Sequence, residues 1–264
     1  MITSNLNKVL KTIDETISND NELQYAVFDF DNTCIINDIG ESVFNFLCKN
    51  KLLKDNSFLD KDYSNLFEYH AQVFQHYYQL LDQGKMIDAY SFACKCLSGF
   101  SKEAICSITK EVINFEGSFL SRQKLFGRVV NKGLAKRAEI QKIFLHIINK
   151  GIQIWIVSAS SKYIVVPAFK IFFPNIEAKY IGVENSIKNN LITSELVYPL
   201  SILDGKVENI KNQISKTIKP VFGIGDSVND EPMLEYSTLS ILIDRQNSLS
   251  EYSKKNSDWV TFRI

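Results

Sequence analysis

The sequence lacks an excess of charge of either sign, because 30 lysine and arginine residues balance 30 aspartate and glutamate residues. A chain without net charge has no overall field that would attract nucleic acid or an anionic membrane surface. It also lacks any apolar run approaching the ~18 residues that a membrane-spanning helix needs. We therefore expect neither nucleic acid nor a membrane as a partner, which leaves a small molecule as the default ligand.

Proline, glycine and cysteine are scarce, with 5, 11 and 5 residues respectively among 264. With 45% hydrophobic and 23% charged residues, the composition is that of a globular protein and excludes general disorder. The cysteines are odd in number and lack zinc-site spacing, and Cys94-Lys95-Cys96 is too tight for a C-x-x-C motif. Residues 1–21 are polar, without the apolar core of a signal peptide. These features predict reduced thiols and a cytoplasmic protein.

Several short apolar stretches have the pattern of strands that are buried on both faces, as in a parallel sheet. They are Tyr25–Phe28, Ile152–Val157, Pro220–Ile224 and Leu239–Ile243. Segments with helical spacing of apolar residues precede the first three of these strands. Strands that alternate with helices predict an α/β fold with a doubly wound, Rossmann-like parallel sheet.

The stretch from about Asn37 to Phe126 differs in composition and pattern, because it is rich in aromatic residues and contains no obvious core strand. It is far longer than an ordinary connection between two strands of a sheet. We predict that residues 37–126 form an inserted helical cap domain, and that residues 1–36 and 127–264 form the α/β core domain. A second excursion, Tyr180–Tyr198, contains Asn189-Asn190 between β-prone runs, which predicts a hairpin.

Polar residues of particular kinds follow the predicted core strands. The first strand leads into Asp29-Phe30-Asp31-Asn32-Thr33, the second into Ser158, and the third into Gly225-Asp226-Ser227-Val228-Asn229-Asp230. Lys206 stands at the start of the helix before the third strand. Because the carboxyl ends of the strands form the ligand crevice of an open α/β sheet, we expect all these residues to converge.

A cluster of aspartates at that crevice requires a cation. Two like charges about 4 Å apart repel by about 4 kcal/mol at an effective dielectric constant of about 20. A site of hard oxygen ligands favours Mg²⁺, which commonly shares a phosphate oxygen, so Asp29, Asp31, Asp226 and Asp230 are the candidate metal residues. Lys206 and Ser158 then supply the positive charge and the hydroxyl donor that a phosphoryl group needs.

The Asp-x-Asp pair fits a nucleophile and its acid. Asp29 can attack phosphorus to form an aspartyl-phosphate. Asp31 can protonate the leaving oxygen and then activate the hydrolytic water. Thr33, at the end of the same motif, is a further candidate phosphate ligand beside Ser158 and Lys206.

Together, Asp29 to Thr33, Ser158, Lys206 and Gly225 to Asp230 resemble, in order and context, the four motifs of the haloacid dehalogenase-like (HAD) hydrolase superfamily. The resemblance implies Mg²⁺ held by Asp29, the backbone carbonyl of Asp31 and Asp226, with Asp230 as a ligand or a support. It implies phosphate chemistry rather than dehalogenation, because the dehalogenases lack the second aspartate. The helical insert after the first motif looks like the cap of phosphoserine phosphatase and its relatives.

Within this superfamily, the stretch from Asp29 to Leu47 looks most like phosphorylcholine phosphatase-type enzymes, which share its first motif and an acidic flap, here Asp38 and Glu41. Where the phosphoserine enzymes place a glutamate that meets the substrate ammonium, this chain has Asp38. One interpretation is that Asp38 or Glu41, with one or two aromatic rings of the cap, binds a substrate ammonium. The alternative is that both residues cap the first helix of the insert and the aromatic residues form its core.

These observations predict a Mg²⁺-dependent phosphomonoesterase that acts on a small phosphorylated metabolite, such as phosphocholine or phosphoserine. A phosphotransferase or phosphomutase is an alternative, because Asp31 fits transfer to another acceptor equally well. A second alternative is a phosphometabolite-binding protein without turnover. The complete set of motif residues argues against this last interpretation. The oligomeric state is not readable from the sequence.

Overall fold

The computed structural model describes residues 2–17, 23–59, 65–246 and 259–263, with the backbone alone for residues 2–4. In chain order, its helices and strands are α1 (Ile2–Thr16), β1 (Tyr25–Phe28), β2 (Ile35–Ile36), α2 (Ile39–Lys49), α3 (Leu66–Asp82), α4 (Met86–Lys95), α5 (Lys102–Glu116), β3 (Ser121–Leu125), β4 (Arg128–Lys132), β5 (Ala135–Lys136), α6 (Ala138–Ile148), β6 (Gln153–Ser161), α7 (Lys162–Phe172), β7 (Lys179–Val183), β8 (Asn185–Lys188), β9 (Leu191–Leu196), α8 (Asp204–Gln213), β10 (Phe222–Gly225), a 3₁₀ helix (Val228–Asp230), α9 (Glu231–Tyr236), β11 (Leu239–Ile243) and β12 (Val260–Phe262). None of the helices in these ranges combines the length and the hydrophobicity that a bilayer crossing requires.

Six parallel strands form the central sheet, in the order β12-β11-β10-β1-β6-β7. The chain builds outward from β1 through β6 to β7, then returns to the other side of β1 and continues through β10. Phe28 of β1 pairs with Ile224 of β10 on one side and with Ile156 of β6 on the other, which fixes the register of these three neighbouring strands. The predicted doubly wound α/β fold with a parallel sheet is confirmed, and its switch point lies between β1 and β10.

The strand β1 is buried along its whole length because helices cover both faces of the sheet. Its alternate side chains enter two different cores. Ala26 and Phe28 belong to the larger cluster, whereas Tyr25 and Val27 belong to a second cluster that includes Ile210 of α8. This double burial explains why the strand is apolar at every position, and it leaves the residues just after it to carry the chemistry.

The insert, residues 37–134, leaves and rejoins the sheet region through a short antiparallel ladder. In this ladder, Ile35 of β2 pairs with Lys136 of β5, and Ile36 pairs with Ala135. The helices α2 to α5 lie between the two strands, together with the hairpin β3–β4. That hairpin straddles the division predicted at residue 126. The division into core and cap domains stays a prediction.

The strands differ from the sequence interpretation in three places. The excursion predicted from Tyr180 does contain a hairpin, β8–β9, whose turn residues Asn189 and Asn190 have φ values of 52° and 63°. Such positive φ values suit a two-residue hairpin turn, which favours asparagine. The first residues of that excursion instead belong to β7, an edge strand of the central sheet, and β12 was not predicted at all. In addition, β6 continues past Val157 to Ser161, so that Ser158 and Ser160 lie within the strand.

Removal of a core ring should destabilise the protein strongly. The buried ring of Phe144 packs edge-on against Phe28, with 4.7 Å between ring centroids, and against Phe173 at 5.2 Å. We expect Phe144→Ala to lower the free energy of unfolding by ~3–5 kcal/mol in urea titrations. The matched control is Phe119→Ala, at a ring that is 82% exposed, with a change within ~0.5 kcal/mol. Equal losses in the two variants would contradict the packing described here.

Candidate active site

A buried lysine connects two of the predicted acidic residues. Lys206 Nζ donates hydrogen bonds to Asp29 Oδ1 at 2.8 Å and to Asp230 Oδ1, and the lysine is fully buried. Burial lowers the pKa of Lys206, but the charges of Asp230 and Asp29 outweigh this effect and raise it above its ordinary value. The lysine is therefore a permanent cation against the carboxylate of Asp29.

The position of Lys206 depends on an unusual entry into α8. Leu203 precedes the helix with a φ of 50°, and its amide donates to Asn229 Oδ1 at 2.8 Å. A Cβ atom at Gly205 would lie 1.8 Å from the carbonyl oxygen of Leu200, so only glycine fits there. These constraints hold the first turn of α8 against the loop after β10 and direct Lys206 into the site.

The loop after β10 arranges Asp230 as a structural support and Asp226 at the cavity. Asp230 Oδ2 accepts hydrogen bonds from the amides of Asp226 and Ser227, both at 3.0 Å, and from Ser227 Oγ at 3.1 Å. Asp226 Oδ1 accepts a hydrogen bond from Thr33 Oγ1 at 3.0 Å, and its Oδ2 accepts one from Arg245 Nη1 at 2.6 Å. Thr33 thus contacts Asp226, and its role as a phosphate ligand stays a prediction.

Three carboxylates of this site fit a hard divalent cation. Asp29, Asp226 and Asp230 each offer an oxygen, and these oxygens lie within 4.8 Å of one another. Burial, followed by the charge of Asp230, raises the pKa of Asp29 well above its ordinary value and that of Asp226 to about 6. A bound cation would relieve this repulsion, and an all-oxygen donor set matches Mg²⁺.

Asp31 lines the same cavity as Asp29 and Asp226, and both of its carboxyl oxygens accept hydrogen bonds. Its Oδ1 accepts from the amide of Ile39 at 2.7 Å, and its Oδ2 accepts from Ser160 Oγ at 2.7 Å and from Ser158 Oγ at 3.3 Å. Burial, followed by the charges of Asp38 and Asp29, raises the pKa of Asp31 well above its ordinary value. A carboxyl group that keeps its proton in this way suits a general acid.

Two adjoining cavities meet at this site. The first is lined by the polar residues Asp29, Asp31, Ser158, Asp226 and Arg245, among others. The second is lined mainly by aromatic and apolar side chains of the insert together with Asp38 and Glu41. The cavities share Asp38, Tyr90, Ala159 and Ser160 in their walls. The two cavities therefore lie side by side, with these four residues between them.

Asp38 caps the first helix of the insert, as one sequence interpretation predicted, whereas Glu41 does not. Asp38 Oδ1 accepts a hydrogen bond from the Glu41 amide at 2.7 Å and so caps α2. Both carboxylates also line the second cavity beside the rings of Tyr77 and Tyr90. Burial, followed by the charge of Asp38, raises the pKa of Glu41 to about 7. Their role as substrate residues stays a prediction.

The sequence interpretation missed three residues with polar side chains that line the first cavity and lie outside the motifs. Ser160 follows Ser158 by two positions on β6, and this spacing could have indicated that both hydroxyls approach Asp31. Arg245 comes two residues after β11, and its place at a strand end was the available signal. Tyr90 lies in α4, where no sequence feature distinguishes it from the other aromatic residues of the insert.

No protein-family model matches the sequence, and no curated protein is significantly similar to it. Solved structures share its fold. A protein of unknown function from Anaerococcus prevotii DSM 20548 has a TM-score of 0.69 at 18% identity, over 98% of this chain and 94% of that chain. A HAD family hydrolase from Salmonella enterica serovar Typhi has a TM-score of 0.57 at 13% identity, over 97% of this chain and 76% of that chain. A phosphoserine phosphatase, solved as a phospho-aspartyl intermediate analogue, has a TM-score of 0.51 at 14% identity, over 84% of this chain and 87% of that chain.

Glu41 should make the stability of the metal-free protein depend on pH. In the unfolded chain this carboxyl loses its proton near pH 4.5, whereas in the folded protein it keeps the proton up to a pKa of about 7. The folded state therefore binds the extra proton between these values, and stability falls as the pH rises through this window. The free energy of unfolding should therefore decrease between pH 5 and 7.5, and we expect this decrease to be about 1–2 kcal/mol smaller in Glu41→Gln. A full effect would be ~1.4 kcal/mol for each unit by which the pKa is raised, but water in the cavity reduces it.

Urea unfolding at the two pH values, with a chelator present, measures this difference. Glu111→Gln, at an exposed position of α5, is the matched control and should behave as the unmodified protein does. A pH dependence that is the same in both variants would show that Glu41 does not titrate in this window.

Proposed function

We propose that this protein is a Mg²⁺-dependent phosphomonoesterase of the HAD-like superfamily that forms an aspartyl-phosphate on Asp29. The observation that carries the proposal is the buried contact of Lys206 with Asp29, beside a cavity that Asp29 and Asp31 line and at the switch point of the sheet. The proposal assigns Asp29 as the nucleophile, Lys206 as the cation and Asp31 as the acid. The shared fold of the HAD family hydrolase and the phosphoserine phosphatase supports the same class of reaction.

Asp29, Asp226 and Asp230 would hold the Mg²⁺ ion, with the backbone carbonyl of Asp31 as the further ligand that the superfamily resemblance implies. When bound, the ion would reduce the repulsion between the Asp29 carboxylate and the anionic phosphate. Lys206 also favours catalysis, because its positive charge lowers the pKa of Asp29 and so favours the ionised carboxylate. Ser158, which lines the cavity, is the proposed hydroxyl donor to the phosphate oxygens.

The first chemical step transfers the phosphoryl group to the protein. The carboxylate of Asp29 forms a bond to phosphorus through Oδ2, which accepts no hydrogen bond from the described residues, while Lys206 holds Oδ1. The bond between phosphorus and the substrate oxygen breaks, and that oxygen keeps the bonding electron pair. Asp31 gives its proton to this oxygen, so that a neutral alcohol leaves and Asp31 becomes a carboxylate.

The second step restores the protein. A water molecule attacks phosphorus on the side opposite to Asp29, and the Asp31 carboxylate takes a proton from it. The bond between Asp29 and phosphorus breaks, which releases inorganic phosphate and returns Asp29 to its ionised form. Asp31 ends the cycle protonated, as it began.

We propose that the substrate carries a cationic group beyond the phosphate, as phosphocholine, phosphoethanolamine and phosphoserine do. The second cavity combines the carboxylates of Asp38 and Glu41 with the rings of Phe44, Tyr77 and Tyr90. Carboxylates and aromatic faces both attract an ammonium group, by charge and by cation–π interaction. Burial raises the pKa of both carboxyl groups, and a cation between them would favour their ionised forms.

Replacement of the nucleophile should abolish hydrolysis. We expect Asp29→Asn to lower kcat for p-nitrophenyl phosphate by at least ~10³-fold, because an amide oxygen cannot form the phospho-enzyme. Chelation of Mg²⁺ should remove activity from the unmodified protein, and added Mg²⁺ should restore it. Asp82→Asn, at an exposed carboxylate paired with Arg128, is the control and should remain active. Substantial activity in folded Asp29→Asn protein would exclude Asp29 as the nucleophile.

The substrate proposal predicts a preference within a panel of phosphate esters. We expect kcat/KM for the amine-bearing esters to exceed that for glucose 6-phosphate and glycerol phosphate by about 10-fold or more, because cation–π contacts alone contribute ~0.5–2 kcal/mol. Glu41→Gln should reduce this preference, whereas Glu111→Gln should preserve it. If kcat/KM for the sugar phosphates equals that for the amine-bearing esters, the proposal of a cationic substrate is refuted. Products that carry the phosphoryl group on a second alcohol would identify a phosphotransferase.

A further inference from the structure

Ser160 makes the nearer hydroxyl contact to Asp31, although Ser158 is the serine that the sequence motif indicates. The Ser160 hydroxyl lies 2.7 Å from Asp31 Oδ2, compared with 3.3 Å for that of Ser158. The Ser158 hydroxyl also accepts a hydrogen bond from the Ser160 amide at 3.0 Å. The two serines therefore have different partners, with Ser160 directed mainly at Asp31.

We propose that Ser160 is a positioning residue that fixes the carboxyl group of Asp31 for proton transfer to the leaving oxygen. This inference rests on the proposed phosphatase function. The amide of Ile39 holds Oδ1 and can only donate, so the proton that Asp31 transfers belongs on Oδ2. The Ser160 hydroxyl donates to Oδ2, and it can do so whether or not Oδ2 carries the proton, because a protonated carboxyl oxygen still has a lone pair that can accept. Ser160 can therefore hold Oδ2 while the proton is directed at the leaving oxygen.

The location of Ser160 fits this role, because it lies in the wall that the two cavities share. In the proposed binding mode, the phosphate occupies the polar cavity and the rest of the substrate extends into the aromatic one. The oxygen that leaves phosphorus is then the atom at the junction. Ser160 holds Asp31 Oδ2 at this junction, where the proton is delivered.

Gly40 provides an independent way to break the same contact. A Cβ atom at Gly40 would lie 2.4 Å from Ser160 Oγ and 3.1 Å from Ser160 Cβ. The first turn of α2 thus approaches Ser160 so closely that a methyl group would force its hydroxyl away from Asp31. Gly40 lies within a helix, where alanine is the more favourable residue. Gly40→Ala should therefore displace the hydroxyl without removing it.

The test uses phenyl phosphates that differ only in the ring substituent, with Mg²⁺ present. A nitrophenolate leaves without a proton, whereas a methylphenolate needs one, so a misplaced acid affects only the second substrate strongly. We expect Ser160→Ala to lower kcat for 4-methylphenyl phosphate by about 10–100-fold and for 4-nitrophenyl phosphate by less than about 3-fold. Gly40→Ala should show the same selectivity.

Ser201→Ala is the matched control, because Ser201 is buried and its hydroxyl makes no hydrogen bond in the part of the chain that the structure describes. It should hydrolyse both substrates as the unmodified protein does. Equal losses on both substrates in Ser160→Ala, or no loss on either, would overturn the role of Ser160 and leave the phosphatase proposal intact. An unmodified protein that hydrolyses neither substrate would overturn both proposals.

Discussion

The buried contact of Lys206 with Asp29 and Asp230 is the interaction on which the rest of the site depends. A lysine enclosed by protein is stable as a cation only beside carboxylates, and Asp29 and Asp230 supply them here. The glycine at 205, the left-handed Leu203 and the Asn229 side chain all serve to bring Lys206 to this point. The loop after β10 has the same dependence, since Asp230 both meets the lysine and organises its own turn.

Much of this arrangement could be predicted from the sequence, because parallel strands that end at one edge bring their next residues together. Asp29 and Asp226 follow neighbouring strands, so their proximity follows from the alternation of strands and helices. The turn at Asn189-Asn190 was predictable because few residues accept two consecutive positive φ values. These features depend on local chemistry or on a simple rule of topology.

The parts that could not be predicted depend on contacts between distant segments. The strand β7 carries lysine, tyrosine and glycine among its few residues, and only its pairing with β6 makes it part of the sheet. Arg245 reaches Asp226 from a loop with no motif of its own. Ser160 reaches Asp31 because β6 extends beyond its apolar run and because α2 leaves space at Gly40. The spacing of the two serines and the strand-end position of Arg245 mark these residues in the sequence, but neither identifies the partner that the residue contacts.

The amide of Ile39 belongs to the insert, whereas the carboxyl group of Asp31 that it holds follows the central strand of the sheet. The helix that lines the proposed substrate cavity therefore also supplies part of the environment of the proposed acid. In the proposed mechanism, substrate choice and proton delivery thus depend on the same element. A mutation that reshapes the start of α2 also moves a hydrogen-bond donor to Asp31, so we expect it to change turnover together with specificity.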